Sequence, residues 1–549
     1  MSLIKSIYFY FLAWKINLNN FFKRLYFSTE LYNKSLRTFI PSKIIFFPNA
    51  FLLSSFTNNK NFHFQISKID TNLFWEKSKN SKERKKLSNF LWLSLLDRKV
   101  DNSLVRNIIQ NWIKKNSKYN KIEWDNSNLS MRIISWILNS EIILSNCSFD
   151  FKRDFFESII IQVNHLKKNL NSEKDYSKKI EIVSAILLSG LVFKEYSENY
   201  HLGVREIDKI IDIFFDKNGF PLSRNLEDLL KFIKFFIIIK ESVKDAQKLS
   251  LSGLDLILEK NLLCFYAFLT PLNKLPLFNG CTDLDLKEFI DYLSSFNIKN
   301  KKNNMQCLGG FHILKNKKDQ IYFDAGPVPQ KNFSNKYQSG PLSFEYFNDK
   351  DKIITNCGFG INISKKAALL SKLTSAQSTL SLNNTSVVKF ERNHFINKAF
   401  GYSSKEEFKI FNDKHLSNDE EIISFASHNA YLNNFGFLHK RQIKIRKKGD
   451  NVVGLDHLFN KKKSTTTLYD IYFHLTPGLD AVKTIGGESV LIKVNKNKSM
   501  IFFVEKENFT IEKSIFLGGN KILNNLCIKI SGKIDSDEKI INWGIKKNI

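Results

Sequence analysis

DAGPVPQ (Asp324 to Gln330), NKYQSGPLSFEYF (Asn335 to Phe347), KIITNCG (Lys352 to Gly358) and SAQSTLSLNN (Ser375 to Asn384) follow one another in the second half of the chain. Together they read as short strands. Leu342, Phe344 and Tyr346 alternate with Ser343, Glu345 and Phe347, the period-2 pattern of a sheet with one face more polar. Asn348-Asp349-Lys350-Asp351 has turn chemistry, and Ile353-Ile354 starts the returning strand.

Strands continue outward from there toward the C-terminus. Gln442, Lys444 and Arg446 alternate with Ile443 and Ile445, and the segment Lys447 to Asn451 makes the turn. Tyr469, Ile471, Phe473 and Leu475 alternate with Asp470, Tyr472 and His474, and Val490, Ile492 and Val494 precede another turn at Asn495 to Ser499. This is the pattern of a large antiparallel β-sandwich.

In the other direction the period changes. From about Ser81 to about Ser295 helices are expected at 89–97, 104–114, 129–144, 151–170 and 180–193, with another begun by Leu226, Leu229 and Leu230. Ile180, Val183, Leu187 and Leu191 mark one apolar face at helical spacing. Many helices joined by short polar loops, without a fixed sequence period, suggest a bundle, solenoid or toroid. Asn297 to Asn304 (NIKNKKNN) is a polar, basic linker. The expected domains are an extension at 1–80, a helical domain at 81–300 and a β-sandwich at 305–549, an α+β multidomain chain.

The order of blocks resembles the heparinase II/III-like proteins, a family of polysaccharide lyases and their relatives. It is carried by IEWDNSNLSMRIISWIL (Ile122 to Leu138), GFPLSRN (Gly219 to Asn225), LPLFNG (Leu275 to Gly280) and the four blocks quoted above. The resemblance implies an N-terminal α/α toroid, or incomplete barrel, followed by the sandwich, with acidic polysaccharide such as glycosaminoglycan or alginate as partner. It also implies the cell envelope or periplasm as compartment. β-Elimination at a uronic-acid linkage would be the reaction, and a catalytically impaired glycan-binding or envelope protein the alternative. Such a lyase neutralises the uronate carboxylate, takes the C5 proton with a base and protonates the leaving oxygen.

Composition sets wider bounds. The 549 residues suffice for two or three domains with sizeable cores. Net charge +29 favours a polyanionic partner. Lys, Asn, Ile and Phe abound throughout, however, and no zinc-finger or RNP-like motif accompanies the charge, so nucleic acid is not indicated. The six cysteines include no CxxC pair, so neither a disulfide framework nor a cysteine zinc site is suggested. Ile7 to Trp14 is an apolar run of about eight residues between Lys5 and Lys15, far short of the ~20 that span a bilayer. No small-x-small cleavage site follows it, which leaves a cytoplasmic location open. With Lys15, Lys23 and Arg24 near, the segment could lie on a membrane surface, or pack as an amphipathic helix on its own domain.

Six residues are candidates for chemistry. Arg224 and Asn225 sit on the Gly219–Pro221 turn just before a helix, where an exposed guanidinium fork could bind a uronate carboxylate. As a surface-loop residue, Arg224→Lys should change stability by no more than ~0.5 kcal/mol. Asn225 can equally be the helix N-cap. In SHNAY, His428 and Tyr431 are three apart and could face one cleft as a proton shuttle, with Arg224 facing them across it. By the resemblance, the catalytic His position falls on Lys336, beside Tyr337. The family's three zinc-ligand positions fall on Gln338, Asn356 and Gln377. Neutral amides lack the charge and the imidazole nitrogen that zinc prefers, so no metal and no cofactor is expected there, and a hydrogen-bonded amide cluster is the alternative. No P-loop, GxSxG, HExxH or Rossmann fingerprint occurs.

Overall fold

A computed structural model describes residues 3–57, 81–96, 102–298, 305–391, 393–400, 408–449, 451–460 and 466–548. Most of the expected 297–304 linker, residues 58–80 of the expected extension, Asp97 and the turn residue Asp450 lie outside them. The chain divides into two compact units.

The first unit is Met1–Phe215, Leu230–Leu262 and Glu288–Lys299, and its regular elements are helices. Polar caps start them. Ser148 Oγ accepts the Phe151 amide at 3.2 Å to open Phe149–Asn169, and Asp175 Oδ1 accepts the Ser177 amide at 3.0 Å to open Tyr176–Val192. The latter buries Ile182, Ile186 and Leu188 besides the expected face, so it is a core helix enclosed on all sides. Close packing explains its Gly190. A Cβ there would meet the Tyr200 amide nitrogen of Ser197–Phe214 at 2.2 Å. The helix expected at 89–97 is instead a single 3-10 turn, Leu91–Leu95, entered through Phe90 in a left-handed conformation (φ +56°). In the N-terminal segment, Leu3–Phe27 forms a helix and Tyr32 is held by a 2.7 Å hydrogen bond between its hydroxyl and His165 Nδ1.

Asp216–Leu229, Leu263–Lys287 and Asn300–Ile549 form the second unit. Among the described residues it carries two antiparallel sheets. One runs in spatial order Cys307–Leu308, Phe311–Lys315, Asp319–Asp324, Phe344–Asn348, Asp351–Thr355, Thr467–Leu475, Leu523–Ile534 and Asn508–Phe516, with Leu380–Leu382 also paired on Thr467–Leu475. The other runs Asp480–Lys483, Ser489–Asn495, Lys498–Val504, Glu538–Lys547, Asn451–Asn460, Phe437–Arg446, Glu421–His428 and Ile410–Ser417. Residues of both sheets share one apolar core, in which Phe344 stacks on Trp543 with ring centroids 5.3 Å apart.

The strand that decided the sequence reading carries its more polar face inside. Phe344–Asn348 is buried on both faces, so its polar positions are not a wet face. Glu345, fully buried, accepts hydrogen bonds from Thr355 Oγ1 (3.0 Å), the Asn356 amide (3.0 Å) and the Leu277 amide (3.1 Å), and pairs with Lys352 at 2.8 Å. Alternation there marks a polar network inside the unit rather than a solvated surface.

Candidate functional site

Arg224 has a left-handed backbone (φ +54°) in a turn whose Asp216 carboxylate accepts the Asn218 and Phe220 amides at 2.8 and 2.9 Å. It is not an exposed loop residue, since only 5% of it is accessible. Its Nε donates to the Gly309 carbonyl at 2.8 Å, Nη1 to the Pro327 carbonyl at 3.0 Å, and Nη2 to the Gly310 carbonyl and to Asp324 Oδ1. The guanidinium also lies 4.4 Å over the Phe311 ring. Burial pushes the Asp324 carboxyl up, against the pull of Arg224. The fork expected to grip a substrate carboxylate is therefore committed to one of the protein's own. Asn225 acts as the cap it could equally have been. Its Oδ1 accepts the Glu227 and Asp228 amides at 2.7 and 3.1 Å, an arrangement worth about 1 kcal/mol.

Lys336 joins this neighbourhood through Asp228, whose Oδ1 it meets at 2.8 Å while Ser223 Oγ donates to Oδ2 at 2.8 Å. Tyr337 is buried with its hydroxyl unpartnered, and burial pushes that phenol well up, with the Asp324 charge adding to it. The three amides are bound into the protein. Gln338 Nε2 donates to the Ser371 carbonyl at 2.7 Å and the Gly358 carbonyl at 3.2 Å, and its Oε1 accepts the Gly280 amide at 2.9 Å. Gln377 Nε2 donates to the same Ser371 carbonyl at 2.8 Å, and Asn356 Oδ1 accepts the Ser378 amide at 2.9 Å. With the Gln338 and Gln377 N–H groups turned to one shared carbonyl and the Gln338 and Asn356 oxygens taken by backbone amides, this donor set does not fit a divalent cation.

His428 and Tyr431 do come together, ring centroids 5.5 Å apart, but they are 0% and 1% exposed. A one-way chain of hydrogen bonds assigns the tautomers. The Ala430 amide donates to His428 Nδ1 (3.3 Å), so His428 Nε2–H donates to His439 Nδ1 (3.1 Å) and His439 Nε2–H to Asp456 Oδ1 (2.7 Å). Arg441 and Trp543 also donate to the Asp456 carboxylate, at 2.8 to 3.0 Å. Burial drives His428 well below its ordinary pKa, and the neighbouring His439 and Arg441 add to this. Burial alone would raise Asp456, but Arg441 and His439 outweigh it and hold the carboxyl far down. Tyr431 donates to the Leu380 carbonyl at 2.9 Å. This is a satisfied polar core, sealed from substrate.

An opening suited to a ligand lies elsewhere in the second unit. A cavity of about 440 Å³ is lined by residues that include Asp216, Arg224, Cys307, His312, Gln330 and Asp413. At its wall His312, 2% exposed, holds Asp413 Oδ1 with Nε2 at 2.7 Å. Burial would lower His312, but Asp413 and the adjacent Cys307 push it up to about 9. An imidazole backed by a carboxylate can hold a proton at such a wall. The sequence reading missed this pair. The one available signal was Gly309-Gly310, a two-residue hairpin turn that sets Cys307 opposite His312.

Residues 304–544 match the family described as heparinase II/III-like, C-terminal. A crystal structure of heparinase III superposes with a TM-score of 0.68 at 14% identity, covering 92% of this chain and 85% of that one. The heparan sulfate lyase HepC from Pedobacter heparinus gives 0.63 at 14% identity, over 89% and 80%. No curated protein matches the sequence. The likeness shows the fold, a helical toroid region followed by an antiparallel β-sandwich, the class expected from the change of period.

Proposed function

We propose, from the premise that this chain is a heparinase II/III-like protein by its C-terminal domain, that it binds an acidic polysaccharide on a polysaccharide-lyase fold with impaired elimination chemistry. One observation carries the reading. Every position the resemblance assigns to catalysis or metal is tied into internal contacts: Lys336 to Asp228, Gln338 and Gln377 to Ser371, Asn356 to Ser378. Net charge +29 supports a polyanionic ligand, and the cavity beside the Arg224 turn offers it a recess. The cell envelope or periplasm is the compartment that suits such a ligand.

A second reading keeps β-elimination at a uronic-acid linkage. It is favoured by His312 and Asp413 on the cavity wall, where a protonated imidazole could serve the leaving oxygen. Elimination creates a conjugated unsaturated uronate, so ultraviolet absorbance separates the two. Acidic polysaccharides that bind without a rise in absorbance support the first reading. A rise that depends on His312 replaces it with the second.

A further inference from the structure

We propose that Cys307, His312 and His415 form a site for one divalent transition-metal ion of the zinc class, with a fourth coordination position open to the cavity. Their Sγ and ring-nitrogen atoms lie within 4.8 Å of one another. Each imidazole engages one nitrogen and leaves the other without a partner. His312 Nε2 meets Asp413 at 2.7 Å and His415 Nδ1 meets Ser424 Oγ at 2.6 Å. His312 Nδ1 and His415 Nε2 are buried and unpartnered. A carboxylate and a hydroxyl that fix the ring while the opposite nitrogen is left bare are the usual outer partners of metal-bound histidine. Cys307 forms no disulfide.

The ligands sit where an ion would do structural work. Cys307 and His312 are register partners at one edge of the first sheet, and His415 lies on Ile410–Ser417, the edge strand of the second. A metal there would join two edges, closing backbone otherwise open to mispairing. Sequence spacing hides the site because its third ligand arrives from the other sheet.

Thiolate with two imidazoles suits zinc, and three protein ligands leave a position for water or a ligand group. Tetrahedral zinc, with bonds of ~2.0–2.3 Å, holds its ligand atoms about 3.5 Å apart, so the cluster must draw in by about 1 Å. Cys307 is exposed on a two-residue strand, which leaves its side chain room to turn inward. Coordination displaces the Cys307 thiol proton, and any proton on His312 Nδ1, to solvent and involves no redox change. The cluster is distinct from Gln338, Asn356 and Gln377, and the proposal is independent of the glycan-binding reading but excludes His312 as the proton donor of the elimination reading.

Titration of the reduced, metal-free full chain with cobalt(II), followed by zinc competition, tests it. The expected result is one equivalent per chain, with tetrahedral visible bands and a thiolate-to-cobalt charge-transfer band. Cys307→Ser should remove that band, and His415→Ala should weaken zinc binding at least about tenfold, each with unchanged circular dichroism. If His415→Ala does not fold, Cys307→Ser alone decides. Absence of the charge-transfer band in the native chain, or zinc binding unchanged in Cys307→Ser, overturns the proposal.

Discussion

Arg224 and Asp324, 100 residues apart in sequence, form an ion pair inside the second unit that ties the turn before a helix to the strand opening the DAGPVPQ block. The pair replaces the expected solvent-facing fork, and it changes what substitution should do. Arg224→Ala leaves a buried carboxylate uncompensated and should cost about 3–5 kcal/mol. Arg224→Lys keeps the charge but cannot reach the Gly309, Gly310 and Pro327 carbonyls together, so it should also exceed the ~0.5 kcal/mol of a surface change. Urea unfolding of the full chain measures both.

Gly326 makes that pair possible. A Cβ there would stand 2.3 Å from Arg224 Nη2 and 2.4 Å from its Cζ. Gly326→Ala should therefore push the guanidinium off Asp324 and destabilise by about 1–3 kcal/mol. In the Arg224→Ala background the clash disappears, and the double mutant should show a coupling energy larger than about 0.5 kcal/mol. Simple additivity in the cycle would mean that Arg224 does not occupy the space beside Gly326.

Stability should fall as pH drops below about 6.5. Burial lowers His428, His439 and His474 below the ordinary 6.5, the last to about 4. Their folded pKa values lie under the unfolded one, so stability is present above 6.5 and is lost as pH falls, at up to about 1.4 kcal/mol per pH unit for each group. His312 has the opposite sign. Raised to about 9, it contributes below 6.5 and that contribution is lost as pH rises through 9. Denaturation midpoints across this range test it, and a profile flat from neutral down to about pH 5 would contradict the buried neutral histidines.

The period of the hydrophobic pattern made the architecture legible. Ile180, Val183, Leu187 and Leu191 did lie on a helix, and the 437–446 and 451–460 pair did form a hairpin. Alternation marked one face as more polar but could not show that it was buried, so the Glu345 network was not anticipated. The same limit applied to the candidate site. Arg224 and His428 have partners, Asp324 and His439, that adjoin them only after folding. The Cys307, His312 and His415 cluster needs three strands from two sheets, a relation that linear spacing does not encode.

The helix Leu3–Phe27 exposes Ile7, Tyr8, Phe11, Trp14, Phe21 and Phe22, with Lys15 and Arg24 also exposed. No described helix is long and apolar enough to cross a membrane. Aromatic and basic side chains on one helix suit the surface of an anionic bilayer. The chain should co-sediment with phosphatidylserine vesicles more than with neutral ones, and the Phe11→Asp, Trp14→Asp double variant should lose most of that binding. Equal sedimentation of native chain and variant would remove the segment from any membrane role.

Titration calorimetry of acidic oligosaccharides into the native chain and into Gln330→Trp tests the glycan reading most directly. Gln330 is exposed on the cavity lining, so an indole there narrows the cavity without touching the core. Native protein should bind a uronate-containing oligosaccharide, and Gln330→Trp should bind it at least about tenfold more weakly, a change of about 1.4 kcal/mol, with an unchanged melting temperature. Equal affinity in the two proteins, or no heat from any acidic oligosaccharide with the native chain, would contradict it.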